Sequence, residues 1–418
     1  METQIDLYSD LVLPNGVVIK NRLCKAAMEE NLCDFGQIPG QRLYQLYKQW
    51  AEGGVGLILT GNVMISPNAL TGPGGVVLDS SDHLEAFKTW AKAGSANNTQ
   101  LWVQLSHPGR QVYASMGEQA VSASDLSVSI AGYEHMFAKP KALSHEQILD
   151  IIERFTNSAV LAEHAGFTGC QIHAAHGYLI SQFLSPLTNK REDQWGGSLE
   201  NRAAILFQII KSVRARVSAK FCVSVKLNSA DFQKGGFDQH DAKWVVEQLN
   251  DLRVDLVELS GGSYESPAMQ GSASKDSTGQ REAYFIEFAR EIAQVAKMPI
   301  MITGGIRRKQ VAEEALKQDD AGFGVAMLGI ARAMAFVPDL PNRWQQNQHL
   351  DVQLPQLNWK NKTIAALGVM SVTKAQLNRL ASGKAPKPSV NPVLAILADR
   401  IKTKLRTRRY RKWRESHR

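Results

Sequence analysis

His173, His176 and Tyr178 follow directly on the apolar run Cys170-Gln171-Ile172. Two imidazoles and a phenol on one short loop can hold a polarised or anionic oxygen through N–H groups and deliver a proton from the hydroxyl. A His-x-x-His pair can also chelate zinc. No glutamate lies between these two histidines, however, and no cysteine or carboxylate stands nearby at ligand spacing, so metal chemistry has no support here. The β-branched, apolar residues before the loop place it just past the C-terminal end of a strand.

Eight such runs occur between residues 17 and 332: Val18–Ala26, Gly56–Val63, Leu101–Leu105, Cys170–His173, Phe221–Leu227, Leu256–Leu259, Ile300–Thr303 and Val325–Leu328. Helix-length segments separate them. In Ala142–Ala165, Ile148, Ile151, Ile152, Phe155, Ala159 and Ala162 recur at spacings of three and four, Ser144 and Gln147 form a capping box, and Gly166 supplies the stop. Asn201–Val217 repeats the pattern. This rhythm predicts a (β/α)8 TIM barrel rather than two doubly wound domains, with a barrel domain at 1–340 and a helical extension at 341–418. A chain of 418 residues with 44% apolar side chains can bury a core of that size.

Barrels of this kind build their sites at the C-terminal strand ends. Read there, the chain offers Ala26, Ala27, Met28 and Glu29 after strand one, Gly61 and Asn62 after strand two, and Gln104, His107 and Arg110 at strand three. Strand five adds Lys226 and Asn228. The loops after strands seven and eight read ITGGIR and GIARAM. Gly304 and Gly305 would let backbone N–H groups approach a phosphate, and Arg332, following Ala331, would give it a charge-assisted contact.

The formal charge of +8 belongs to one end. Residues 400–418 hold ten Lys or Arg and the single acid Glu415, which leaves the first 399 residues at −1. Leu394, Leu397, Ile401 and Leu405 lie at helical spacing among those cations, so Pro392–Arg414 is a basic amphipathic helix. It either packs on the barrel exterior with a solvated end, or makes a peripheral contact between 392–418 and an anionic membrane, with nucleic acid the weaker reading. The four cysteines lack C-x-x-C spacing, so neither disulfides nor an iron–sulfur cluster is expected. The N-terminal stretch lacks a signal-peptide pattern, and the expected location is the cytoplasm or the inner surface of its membrane. A homo-oligomer is compatible with the chain.

The sequence resembles the old yellow enzyme family of NADH:flavin oxidoreductases over roughly residues 5–340. The resemblance is strongest in HAAHGYLISQFLSPLTNKREDQWGGSLENR and is supported by LPNGVVIKNRL, WVQLSHPGR, VKLNSADF and ITGGI. It implies FMN across the barrel mouth, reduced by NADH or NADPH and reoxidised by a small electrophilic alkene. The alternatives are an NADH oxidase or an aromatic or nitro-compound reductase on the same scaffold. It further implies that His173 and His176 bind the substrate oxygen and that Tyr178 donates the proton. Gln104 and Lys226 would meet the flavin's pyrimidine edge, Ala26, Ala27, Met28 and Gly61 its ring, and Ala331 and Arg332 its phosphate. Relatives often carry Arg at the Lys226 position, Cys or Thr at Glu29, and in some cases Tyr at Asn31. These departures bear on redox tuning and substrate preference. The loops Gly109–Lys141 and Ser263–Gln280 are expected to set that preference.

Overall fold

The eight apolar runs become eight parallel strands in the computed structural model, which describes residues 5–130, 132–266, 286–348 and 350–416. They are β1 Leu23–Lys25, β2 Leu57–Met64, β3 Gln100–Ser106, β4 Gly169–Ala174, β5 Cys222–Asn228, β6 Leu256–Ser260, β7 Ile300–Thr303 and β8 Met327–Ile330. Each pairs in parallel with the next, and Leu328 of β8 opposite Leu23 of β1 closes the (β/α)8 barrel. Around it lie α1 Gln41–Glu52, α2 Leu84–Gly94, α3 His145–His164, α4 Leu179–Leu184, α5 Leu199–Arg216, α6 Gln239–Leu249, α7 (described over 286–295) and α8 Lys309–Ala315.

The expected strand Val18–Ala26 is in fact two elements. Val18–Ile19 pairs antiparallel with Leu11–Val12, and β1 begins only at Leu23. Asn21 causes the break: its side chain accepts the Leu23 N–H and donates to the Gly54 carbonyl, a local turn that competes with strand pairing. The hairpin is not wasted. Its Leu11, Leu13 and Ile19 pack with Leu57, Trp102, Leu256, Met301 and Met327, closing the barrel's N-terminal end with an apolar layer. The last strand also begins two residues later than its apolar run.

The crossover helices form as their spacing predicts. In α3 the Ser144–Gln147 capping box is complete and Ile148, Ile151, Ile152, Phe155, Ala159 and Ala162 are buried. Each of its large apolar side chains contributes roughly 1.5–3 kcal/mol by leaving water. Such rigid walls leave the strand ends as the place where polar side chains converge.

Beyond the barrel, α9 Ala333–Phe336 and α10 Leu340–Gln345 lead to α11 Lys362–Leu380, one helix in the region 357–380, and α12 Pro392–Glu415. The α11 helix lies on α1, where Gln49 donates to the Leu380 carbonyl and Arg42 to Asn378. The α12 helix buries Ala395 and Tyr410. Its end is tied to loops of the barrel mouth: the Tyr410 hydroxyl donates to the Pro67 carbonyl and Arg414 to the Gly117 carbonyl. No helix among the described residues is long and apolar enough to cross a membrane.

Under that end lies Glu118, 7% exposed, its carboxylate accepting the Leu70 N–H. Burial pushes its pKa up to about 7, against the opposing Leu70 hydrogen bond and Arg414 charge. The folded state therefore holds this proton more tightly than the unfolded chain, and stability falls as pH rises from the unfolded value through about 7. Glu118→Gln should be more stable than the parent at pH 8, by about 2–3 kcal/mol at most, with the gap closing near pH 5. Thermal unfolding at the two pH values measures this, and a gap of equal size at both would contradict it.

Candidate active site

His173 is the next-to-last residue of β4, and its ring is buried. Its Nδ1 accepts the Ala175 N–H at 3.2 Å, which assigns the proton to Nε2 and makes that atom a donor. The chain then turns back through two left-handed residues, His176 (φ 61°) and Gly177 (φ 73°). The turn is held by Asn228, which accepts the His176 N–H at 3.0 Å, and by Gln111, which donates to the His176 carbonyl at 3.1 Å. As a result the two imidazoles meet edge to face with centroids 5.1 Å apart, and Tyr178 stands edge-on to His173 at 4.9 Å. Ser260 fixes the second ring at 2.7 Å from Nε2.

Electrostatics decides what these groups can do. Burial, with the Lys226 charge adding to it, holds both imidazoles well below the usual histidine range; His173 lowers His176 further. Both are therefore held neutral near pH 7, so each ring carries one N–H and no charge. Burial, then the Glu29 carboxylate, pushes the Tyr178 hydroxyl up, so it keeps its proton until one is demanded. That hydroxyl lies 3.0 Å from the Tyr264 hydroxyl.

Gln104 and Lys226 are joined by residues that the sequence reading did not single out. Gln104 Nε2 donates to Gln171 at 2.7 Å, and Gln171 donates to Glu258 at 2.9 Å. Glu258, fully buried, also accepts from Lys226 at 2.8 Å and from Thr303 at 2.6 Å. Lys226 is thus a paired cation. The signal was visible: Glu258 is the one charged residue in the apolar run Leu256–Leu259, and a carboxylate buried in a barrel strand requires a partner.

Gly61 sits where β2 slips register against β3 between Leu59 and Asn62. The bulge frees the Gly61 N–H, which donates to Tyr47 Oη at 3.0 Å; Tyr47 donates in turn to Glu30, the partner of buried Lys25. A Cβ on Gly61 would lie 2.0 Å from Glu30 Oε2 and 2.3 Å from the Met28 carbonyl oxygen. Contact with the Met28 loop therefore already demands glycine. The same loop is stitched to β8 by Ala26, whose N–H donates to the Ile330 carbonyl at 3.0 Å; Ala27 and Met28 are half-buried beside it.

At the neighbouring ends of β7 and β8, Gly304 and Gly305 are exposed with φ of 144° and 68°, and a Cβ at Gly304 would meet nothing within 4 Å. Arg332, next to half-buried Ala331, has its pKa lowered by burial and then by Arg307. Neither guanidinium forms an ion pair among the described residues. Two like charges beside open glycine backbone suit an anion with several oxygens. On the opposite side Gln104 Oε1 is buried without a partner among the described residues. The donor set, the unpaired amide oxygen and the doubly cationic end together fit a phosphate-bearing, hydrogen-bonding ring system such as FMN.

Over the histidines stands an aromatic wall that the sequence reading also did not identify. Tyr113 stacks on Phe137 at 5.4 Å, Phe137 reaches Tyr264, and Tyr264 reaches Tyr178. Glu29 points to this side: Thr71 donates to it at 2.5 Å, and its charge acts on Tyr113, Tyr178 and Tyr264. Asn31 adopts a left-handed φ of 54°, and its buried Oδ1 has no partner among the described residues. Arg110 pins the β3 loop to Ser127 and Glu265, whereas His107, held neutral by burial, accepts the Gly109 N–H and serves the turn. Residues 267–280 of the second substrate-determining loop lie outside the described residues.

Comparison with known proteins identifies the family and the fold. Residues 6–351 match the profile of the NADH:flavin oxidoreductase / NADH oxidase family. The NADH-dependent flavin oxidoreductase iliE of Hypocrea jecorina is 36% identical over 355 residues, 79% of this chain and 86% of that protein. The iliE protein of Neonectria sp. is 35% identical over 79% of this chain, but the match spans only 46% of that longer relative. In fold, the old yellow enzyme homologue from Zymomonas mobilis superposes with a TM-score of 0.68 at 24% identity, covering 83% of this chain and 94% of that one. With a barrel closed strand for strand and a family profile running almost from its first described residue to the start of the helical extension, the chain belongs to the NADH:flavin oxidoreductase family, the family of the old yellow enzymes.

Proposed function

We propose that the chain, through its barrel unit 1–340, is an FMN-dependent NAD(P)H oxidoreductase that reduces the activated C=C bond of α,β-unsaturated carbonyl compounds. The observation carrying this reading is the convergence of two neutral imidazoles, His173 buried and His176 half-buried, and the protonated, buried phenol of Tyr178 just past one strand end. FMN, held by the residues named below, would supply the hydride chemistry, from NADH or NADPH to the electron-poor β-carbon of the substrate. His173 and His176 then hold the carbonyl oxygen, where negative charge gathers during transfer. Because both rings are neutral, they stabilise that charge by hydrogen bonds without protonating it beforehand. Tyr178 supplies the proton to the α-carbon, and Tyr264, half-buried beside it, would relay a replacement proton from solvent to the Tyr178 oxygen. Gln104, Lys226, Ala26, Ala27, Met28 and Gly61 would border the flavin ring, and Gly304, Gly305, Ala331 and Arg332 would receive its phosphate.

The test is anaerobic. Purified yellow protein should bleach with NADH or NADPH and regain its colour with cyclohexenone. Protein that takes up no FMN would overturn the reading. Reduced protein that only oxygen, nitro compounds or aromatic acceptors can reoxidise would replace it with the oxidase or nitro-reductase alternative on the same scaffold.

A further inference from the structure

The α12 helix has one face anchored and one face free. Ala395 and Tyr410 are buried against the rest of the chain, while on the other side Leu394, Leu397, Ile401 and Leu405 are 53–64% exposed. Leu397, Ile401 and Leu405 form one ridge of the helix at spacing four. The adjacent ridge, Arg400, Lys404, Arg408 and Lys412, is entirely cationic and exposed. None of these four forms an ion pair among the described residues, and the only acid exposed on the helix is Glu415 near its end.

We propose that this face of α12 docks on an anionic phospholipid surface. An apolar ridge costs free energy in water, and cations beside it would find counter-charges in lipid headgroups while their alkyl stems lie along the same apolar boundary. The charge pattern argues against a second copy: pairing two such faces would bring cationic ridges together with almost no acid between them. It also argues against nucleic acid, since a central apolar ridge removes phosphate contacts from the middle of the face. The anchor matters as well. Because Tyr410 and Arg414 grip the Pro67 and Gly117 carbonyls, the docked helix would hold the barrel's mouth loops close to the lipid.

The experiment uses the full chain loaded with FMN and vesicles of phosphatidylcholine, alone or mixed with phosphatidylglycerol, in sedimentation. Binding is expected only to the mixed vesicles and should weaken as salt rises. The apolar variant Leu397→Ser/Ile401→Ser/Leu405→Ser and the charge variant Lys404→Glu/Arg408→Glu should each lose at least about tenfold in partitioning. Both change exposed positions, so their thermal midpoints should match the parent. Equal binding to neutral vesicles, or variants that bind like the parent, would overturn the proposal. So would a dimer in solution that the serine variant dissolves, or retention on duplex DNA, if either occurs without vesicle binding.

Discussion

Replacing His173 by alanine should slow enone reduction about 100- to 1000-fold, the usual cost of removing one donor from an oxyanion site. His176→Ala should cost a similar amount. The geometry sets this expectation, because ring centroids 5.1 Å apart allow both imidazoles to reach one oxygen. The double variant should lose less than the product of the single losses, since the second donor works on an oxygen that the first has already mispositioned. Asparagine at either position keeps an N–H donor and should recover part of the rate. Reduction of the bound flavin by NADH, measured alone, should change much less than reoxidation by the enone. The pH profile gives a second handle. Both rings titrate well below the ordinary histidine value, so the parent rate should stay flat from about pH 6 to 8 with no histidine inflection. Single-turnover reoxidation that falls less than about threefold in both alanine variants would remove the histidines from the oxygen-binding role.

Those histidines were legible in the sequence because strand and loop are local: an apolar run, then two imidazoles at fixed spacing, specify their position with little help from elsewhere. The barrel was legible for the same reason, eight periodic segments being hard to arrange otherwise. What the sequence hid was what depends on neighbours far along the chain. Asn21 splits a continuous apolar run because its amide reaches Gly54. Glu258 disappears into an apolar strand because its partners, Gln171, Lys226 and Thr303, come from β4, β5 and β7. Gly61, expected from the family resemblance to lie small beneath a ring, is confined by Glu30 and the Met28 carbonyl. Arg307 gains meaning only when the end of β8 brings Arg332 beside it. The α12 helix showed its amphipathic pattern in sequence, but only the fold reveals that Tyr410 anchors it and leaves the leucine ridge outside.

Glu258→Leu should destabilise the protein by about 3–5 kcal/mol, because it leaves the Lys226 ammonium buried without its counter-charge. The effect is large for a physical reason: Glu258 is fully buried, Lys226 only 3% exposed, and the carboxylate accepts three side-chain hydrogen bonds that leucine cannot replace. Adding Lys226→Met should restore much of the loss, since an apolar pair of similar volume avoids desolvating either charge. Urea unfolding of the two single variants and the double variant gives the coupling directly. Glu258→Gln separates charge from shape. It keeps an oxygen that can accept from Lys226 or Thr303 but releases the lysine's charge into the site. With FMN bound, its midpoint potential should become more positive than the parent's, since an unpaired cation near the ring favours the electron-rich form. A parent-like urea midpoint in Glu258→Leu would show that the pair contributes nothing to stability. A potential in Glu258→Gln that is unchanged or more negative would show that Lys226 does not act on the flavin, and each result can arise without the other.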